Sequence, residues 1–186
     1  MKPFCIITAA LFGASCALVA PPSPPSPPGP PGPAGCRPQD PPTVAEVQAL
    51  LGQFGVLVAS RRVNETLPLF TADATWWVVG DPARVPFSGE RPAAERAASA
   101  QRSFEGFAEF RTSTVSAAFT PERSVLEAHL EGTRPDVPAF PLYKQDIALV
   151  FTTVRVASCA VKIKSIREYF DLVTLMAYAN ATGLEP

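Results

Sequence analysis

The chain has 186 residues, with 16 Lys and Arg against 17 Asp and Glu and a formal net charge of −1. Acids and bases are interspersed, so the charge pattern asks for neither nucleic acid nor an anionic membrane surface as partner. One histidine and four cysteines scattered along the chain make no zinc centre, and there is no phosphate-cradling glycine loop or nucleophile elbow.

Residues 1–20 read as a secretory signal peptide: Lys2, an apolar run from Phe4 through Phe12, and the small residues Ala14, Ser15 and Ala17. The uncharged stretch is borderline for a membrane helix, which needs about 20 apolar residues, and the prolines from Pro21 onward cannot continue a helix. Cleavage after Ala17 is favoured over cleavage after Ala20, which would leave Pro21 directly behind the cut. The mature protein is expected outside the cell, with no membrane attachment once the signal is removed.

Export removes Cys5 and Cys16 and leaves Cys36 and Cys159. In an oxidising compartment a single Cys36–Cys159 disulfide is the economical expectation; one buried and one exposed thiol is the alternative. Asn64-Glu65-Thr66 and Asn180-Ala181-Thr182 are N-glycosylation sequons, relevant if the secretory route is eukaryotic.

Residues 21–42 contain twelve prolines in twenty-two positions. Such a leader builds no core and favours polyproline II, a semi-rigid spacer. The remaining segment, residues 43–186, has the size of one domain. Thr43, with Glu46 three residues on, starts a helix whose apolar residues Val47, Leu50, Leu51 and Phe54 recur at helical spacing. A short helical turn over 64–70 leads into a strand at 75–79, and the alanine-rich residues 92–106 form a further helix. The period then changes. Residues 110–119, 124–131, 143–156 and 161–169 read as strands, and 171–180 as a closing helix. Helices first and sequential strands after them argue an α+β domain with an antiparallel sheet.

Four segments carry a family likeness: Leu69-Phe70-Thr71-Ala72-Asp73-Ala74-Thr75-Trp76; Phe87-Ser88-Gly89 ahead of a helix; Val125-Leu126-Glu127-Ala128-His129 together with Tyr143-Lys144-Gln145-Asp146-Ile147; and Lys162-Ile163-Lys164-Ser165-Ile166-Arg167-Glu168-Tyr169-Phe170-Asp171. In this order they resemble the SnoaL-like branch of the NTF2-like (ketosteroid isomerase-like) superfamily across nearly all of residues 43–180. The chain departs from the family pattern at Val161, where a glycine is usual, and at Lys144 and Gln145, where an Asn is common. The resemblance implies a curved sheet wrapped by three to four helices into a cone, an apolar pocket, no cofactor, and in many members a homodimer. It also implies that any catalysis uses an Asp or His as base beside hydrogen-bond donors.

The candidate groups for such chemistry are His129, Asp146 and Asp171. His129 shares a strand face with Glu127 and Glu131, a pattern that usually means solvent, and Asp146 is either pocket acid or edge charge. Arg167, Tyr169 and Asp171 are expected to project together toward the cavity, although Asp171 is also well placed to cap the last helix. Trp76, Trp77 and Tyr143 pack in the core or line an apolar site, and Trp76, Tyr143, Arg167 and Tyr169 are the candidate ligand contacts. Two functions fit the sequence. One is a secreted protein holding a small hydrophobic molecule in its cone, with or without isomerase, cyclase or hydrolase chemistry. The other is a non-catalytic dimerisation or wall-associated module.

Overall fold

A computed structural model describes residues 37, 39–139 and 141–182. The expected signal peptide, almost all of the proline-rich leader, and Cys36 lie outside the described residues.

Helix α1 (Val44–Ala59) begins where the sequence signals it: Thr43 and Glu46 form a reciprocal capping box. Its apolar stripe Val47, Leu50, Leu51 and Phe54 is buried. A 3-10 helix (Val63–Leu69) feeds β1 (Phe70–Val78), followed by the short β2 (Gly89–Pro92) and helix α2 (Ala93–Glu105). Then come β3 (Glu109–Ala118), β4 (Arg123–Thr133), β5 (Leu142–Arg155), β6 (Val161–Phe170) and helix α3 (Leu172–Thr182). The strands of the second half thus stand within a few residues of where the alternating pattern puts them. Strand β2, four residues carrying Gly, Glu, Arg and Pro, has no pattern to announce it.

The six strands form one curved, unclosed sheet in the order β2-β1-β6-β5-β4-β3. The expectation of an antiparallel sheet needs one correction, because β1 and β6 run parallel. The whole β2-to-β5 excursion separates them in sequence, and a long connection of this kind is what parallel neighbours require.

One face of the sheet is covered by the helices and holds the core. At one end Phe54 packs against Phe151 with ring centroids 5.3 Å apart, and against Phe70 and Trp76 at 6.2 and 6.1 Å. At the other end Phe107, Leu130, Tyr143 and Tyr178 form a second cluster. Gly132 permits that cluster: a Cβ there would lie 2.5 Å from Phe107 Cδ1, so only glycine lets the Phe107 ring lie across β4.

The start of the domain is tied to the end of β5 by Arg155. Its guanidinium pairs with both carboxylate oxygens of Glu46 (2.9 and 2.7 Å) and also donates to the carbonyls of Asp40, Pro41 and Cys159. No helix among the described residues is long and apolar enough to cross a membrane.

Candidate functional site

Between the two aromatic clusters the helices and the sheet line a cavity of ≈ 180 Å³ that is partly open to solvent. Its walls are mainly aromatic and aliphatic, with Trp76, Phe107 and Leu149 among them, and its polar groups are few: Glu168, Arg96, Gln145, Tyr143 and Tyr178. A concave apolar space with a small number of convergent polar groups is the usual form of a small-molecule site.

Glu168 reaches the cavity because strand β6 contains an irregularity. Ile163 and Ile166 are both fully buried although three residues apart, and the pairing with β5 shifts register between Thr152 and Thr153. Beyond that break the inward residues are Ile166, Glu168 and Phe170, and the outward ones are Arg167 and Tyr169. The parallel neighbour completes the arrangement: β1 aligns Trp76 with Ile166 and Val78 with Glu168. The Trp76 indole Nε1–H then donates to Glu168 Oε2 at 2.9 Å.

By surface area Glu168 is partly buried: it lines the cavity, and its carboxyl is crowded by protein atoms. That crowding pushes its pKa up to about 7, against the pull of the Trp76 hydrogen bond and the positive charge of Arg96. Among the described residues no donor reaches the second carboxyl oxygen, so one lone-pair edge faces the cavity. A carboxyl that is half ionised near neutral pH has the ordinary requirement of a general acid or base.

Arg96 stands on the same wall, buried on α2. It donates to the carbonyls of Trp76 (3.4 Å), Phe87 and Gly89 (2.8 Å), which locks α2 onto β1 and β2. At the far end, burial pushes the Tyr143 hydroxyl up, keeping it protonated and a hydrogen-bond donor. Tyr178 packs 4.8 Å from Tyr143, and its hydroxyl accepts from Arg134 Nη1 at 3.1 Å. Arg134 is itself held in a two-point pair by Asp136 (3.0 and 2.8 Å).

Of the candidates taken from the sequence, Trp76 and Tyr143 line the cavity and the others do not. His129 and Asp146 are cross-strand partners, with Nδ1 and Oδ1 2.7 Å apart, but they meet on the outer face of the sheet, where their side chains are 37% and 84% exposed. The strand alternation that buries Leu130 and Gln145 turns both outward. The expectation that Arg167, Tyr169 and Asp171 project together into the cavity is likewise corrected. The Arg167 guanidinium lies on the outer face, 4.4 Å above the Trp77 ring and 6.0 Å from that of Tyr169. Asp171 caps α3, accepting from the Val173 backbone N–H (2.9 Å) and the Thr174 hydroxyl (2.7 Å), and the Thr174 bond foremost holds its carboxyl below the usual range. Asn64 and Asn180 are both exposed.

Glu168 stands outside the set Arg167, Tyr169 and Asp171 that the sequence pattern suggests for the inner face. The signal that finds it is the apolar pair Ile166 and Phe170: residues two apart share a face, so Glu168 between them must face the core.

No family model and no curated protein matches the chain. Solved structures do. An NTF2-like protein from Burkholderia xenovorans LB400 superposes with a TM-score of 0.51 at 22% identity, covering 72% of this chain and 95% of the other. PrhC from Penicillium brasilianum NBRC 6234 gives 0.59 at 13% identity, covering 75% and 89%. A protein of Acidithiobacillus ferrooxidans, provisionally described as a polyketide cyclase, gives 0.51 at 17% identity, covering 75% and 96%. The curved six-stranded sheet, its helical cover and these superpositions together identify the chain as having the NTF2-like fold, the cone seen across ketosteroid isomerase-like proteins.

Proposed function

We propose that this is a secreted protein that binds a small apolar molecule in its cone and moves a proton on it through Glu168. The observation that carries the reading is the Glu168 carboxyl, set in an otherwise apolar cavity with one oxygen held by Trp76 and the other open. The carboxylate takes a proton from a carbon next to the ligand's carbonyl, leaving an enolate, and the resulting carboxylic acid returns it to the same or a neighbouring carbon. Arg96 supplies the positive charge that favours the enolate oxygen. Atoms and electrons balance without a cofactor.

Export and the Cys36–Cys159 disulfide belong to the same reading. Its support is the cluster around Arg155, whose guanidinium binds the carbonyls of Asp40, Pro41 and Cys159 together, so the chain four residues beyond Cys36 already lies beside Cys159.

The chemistry is tested with acetophenone in heavy water, following loss of the methyl proton signal by NMR. The protein is expected to accelerate exchange, and Glu168→Gln to reduce the acceleration by about 10²- to 10⁴-fold. Exchange that is unchanged in Glu168→Gln overturns the assignment.

A further inference from the structure

The outer face of the sheet carries a cluster of aromatic rings and hydrogen-bond donors that the domain leaves without acceptors. Trp77 on β1 and Arg167 on β6 are direct neighbours in the parallel pairing, and Tyr169 follows two residues along β6 on the same face. The Trp77 and Tyr169 rings lie 5.3 Å apart, tilted at 57° rather than stacked, and the Arg167 guanidinium sits 4.4 Å from the indole centre. Tyr169 is 36% exposed and Trp77 is half-buried. Among the described residues the indole N–H, the guanidinium and the phenol hydroxyl donate to no acceptor, and Arg167 has no carboxylate within ion-pair distance. A binding partner for this patch brings apolar surface and acceptors.

The chain contains a segment of that kind. Residues 21–35 read Pro-Pro-Ser, Pro-Pro-Ser, Pro-Pro-Gly, Pro-Pro-Gly, Pro-Ala-Gly, a three-residue repeat without a charge. Polyproline II completes a turn in three residues, so in that conformation the repeat aligns Pro21, Pro24, Pro27, Pro30 and Pro33 as one continuous ridge. Proline has no N–H, and the segment therefore offers rings and carbonyl acceptors with few donors. Aromatic-lined surfaces that supply the donors are the usual receptors of such segments.

The place where the leader joins the domain brings the two within reach. Arg155 binds the carbonyls of Asp40 and Pro41, and it pairs across the sheet with Val161, the first residue of β6. Arg167 and Tyr169 lie further along that same strand, roughly 20–26 Å from Val161 at the rise of a β-strand. Residues 21–35 in polyproline II span roughly 47 Å, enough to pass the β5–β6 turn and run along the outer face. A short tether also holds the segment at about millimolar effective concentration, so a contact of modest affinity is populated. We propose that the proline-rich leader folds back on its own domain and docks on Trp77, Arg167 and Tyr169. Proline rings pack against the two aromatic rings, and the indole N–H and the guanidinium donate to the leader's carbonyls. The contact is independent of the cavity and of Glu168; it requires only that the leader stays on the chain.

The test compares the full secreted chain with a variant whose leader keeps its length but loses the ridge, with Pro24→Ser, Pro25→Ser and the same change at every proline through Pro33. Trp76 is 6% exposed, so acrylamide quenching of tryptophan fluorescence reports Trp77. The quenching constant of the unmodified chain is expected to be lower than that of the variant by about threefold or more. The Trp77 indole N–H resonance, assigned by its loss in Trp77→Phe, is expected downfield of its position in the variant. Tyr169→Ser is expected to sharpen the carbon-13 signals of the leader prolines as the segment comes free. Equal quenching with an unmoved indole resonance overturns the proposal. Protection of Trp77 that survives loss of the prolines also overturns it and means that something else, a second copy of the chain above all, covers the patch. So does protection seen only in concentrated solution, since docking within one chain does not depend on concentration. If Tyr169→Ser does not fold, the leader variant, which leaves the domain untouched, still decides.

Discussion

The indole N–H of Trp76 holds Glu168 Oε2 at 2.9 Å, joining two strands that lie 92 residues apart in sequence. The bond opposes the effect of burial on Glu168, and burial wins, leaving the pKa at about 7. Trp76→Phe removes the donor while keeping an aromatic ring. The midpoint for Glu168 is expected to rise further, read by carbon-13 NMR of the labelled side-chain carboxyl. A midpoint that stays or falls would show that the hydrogen bond does not stabilise the carboxylate.

The same shift makes a statement about stability. Glu168 binds its proton more tightly folded than unfolded, where the ordinary value is 4.5. Its contribution is therefore fully present below about pH 4.5 and is lost as pH rises through about 7. The difference between these values corresponds to on the order of 3 kcal/mol. Glu168→Gln carries no charge, so the variant is expected to exceed the unmodified protein in stability at pH 8 and to lose that margin by pH 5. Denaturant melts at the two pH values check it.

The Glu46–Arg155 pair works in the opposite direction. The Arg155 hydrogen bond first, and the Thr43 bonds after it, hold the Glu46 carboxyl down to about 2. Its stabilisation is present above about pH 4.5 and is lost as pH falls toward 2. The Glu46 side chain is 39% exposed, so water and salt screen the pair. Glu46→Gln is expected to cost about 1 kcal/mol at pH 7, from the cap and the ion pair together, and close to nothing at pH 2. A melt series over pH reads this directly.

Gly132→Ala places a methyl where Phe107 Cδ1 stands 2.5 Å away. Either the ring or the strand must move. A loss of roughly 1–3 kcal/mol is expected, with a shift in the Phe107 ring resonances. A variant as stable as the parent would mean that this end of the cavity is loosely packed.

Secretion is checked by intact-mass measurement on protein recovered outside cells, with and without reductant. The expected mature start follows the small-residue stretch ending at Ala17 or Ala20, and the unreduced mass is lighter than the reduced by two hydrogens. A start before Phe12, or two free thiols, overturns the proposal of export with a Cys36–Cys159 bridge.

Much of this architecture is legible in local patterns. Thr43 and Glu46 declare the first helix because a capping box is a contact within one turn. The strands from β3 to β6 declare themselves by alternation, since burial on one face selects every second residue. What one-dimensional patterns do not carry is parity across a bulge. The irregularity in β6 flips every later side chain, so Arg167 and Tyr169 go out and Glu168 goes in. His129 and Asp146 fail for a related reason. Their polar neighbours made the outer face readable for His129, but that the two meet at 2.7 Å depends on the β4–β5 register.

The order of helices and strands, the capped start of the domain and the apolar stripes of the core are legible in the chain alone, because they arise from contacts within a few residues. Which polar groups share the cavity follows from long-range pairing instead. Trp76, Arg96, Gln145 and Glu168 come from four separate elements, and their meeting depends on a parallel strand pair, a break in β6 and the length of β5. The raised pKa of Glu168 belongs to that crowding, since a carboxyl's affinity for its proton is set by the medium around it rather than by its neighbours in sequence.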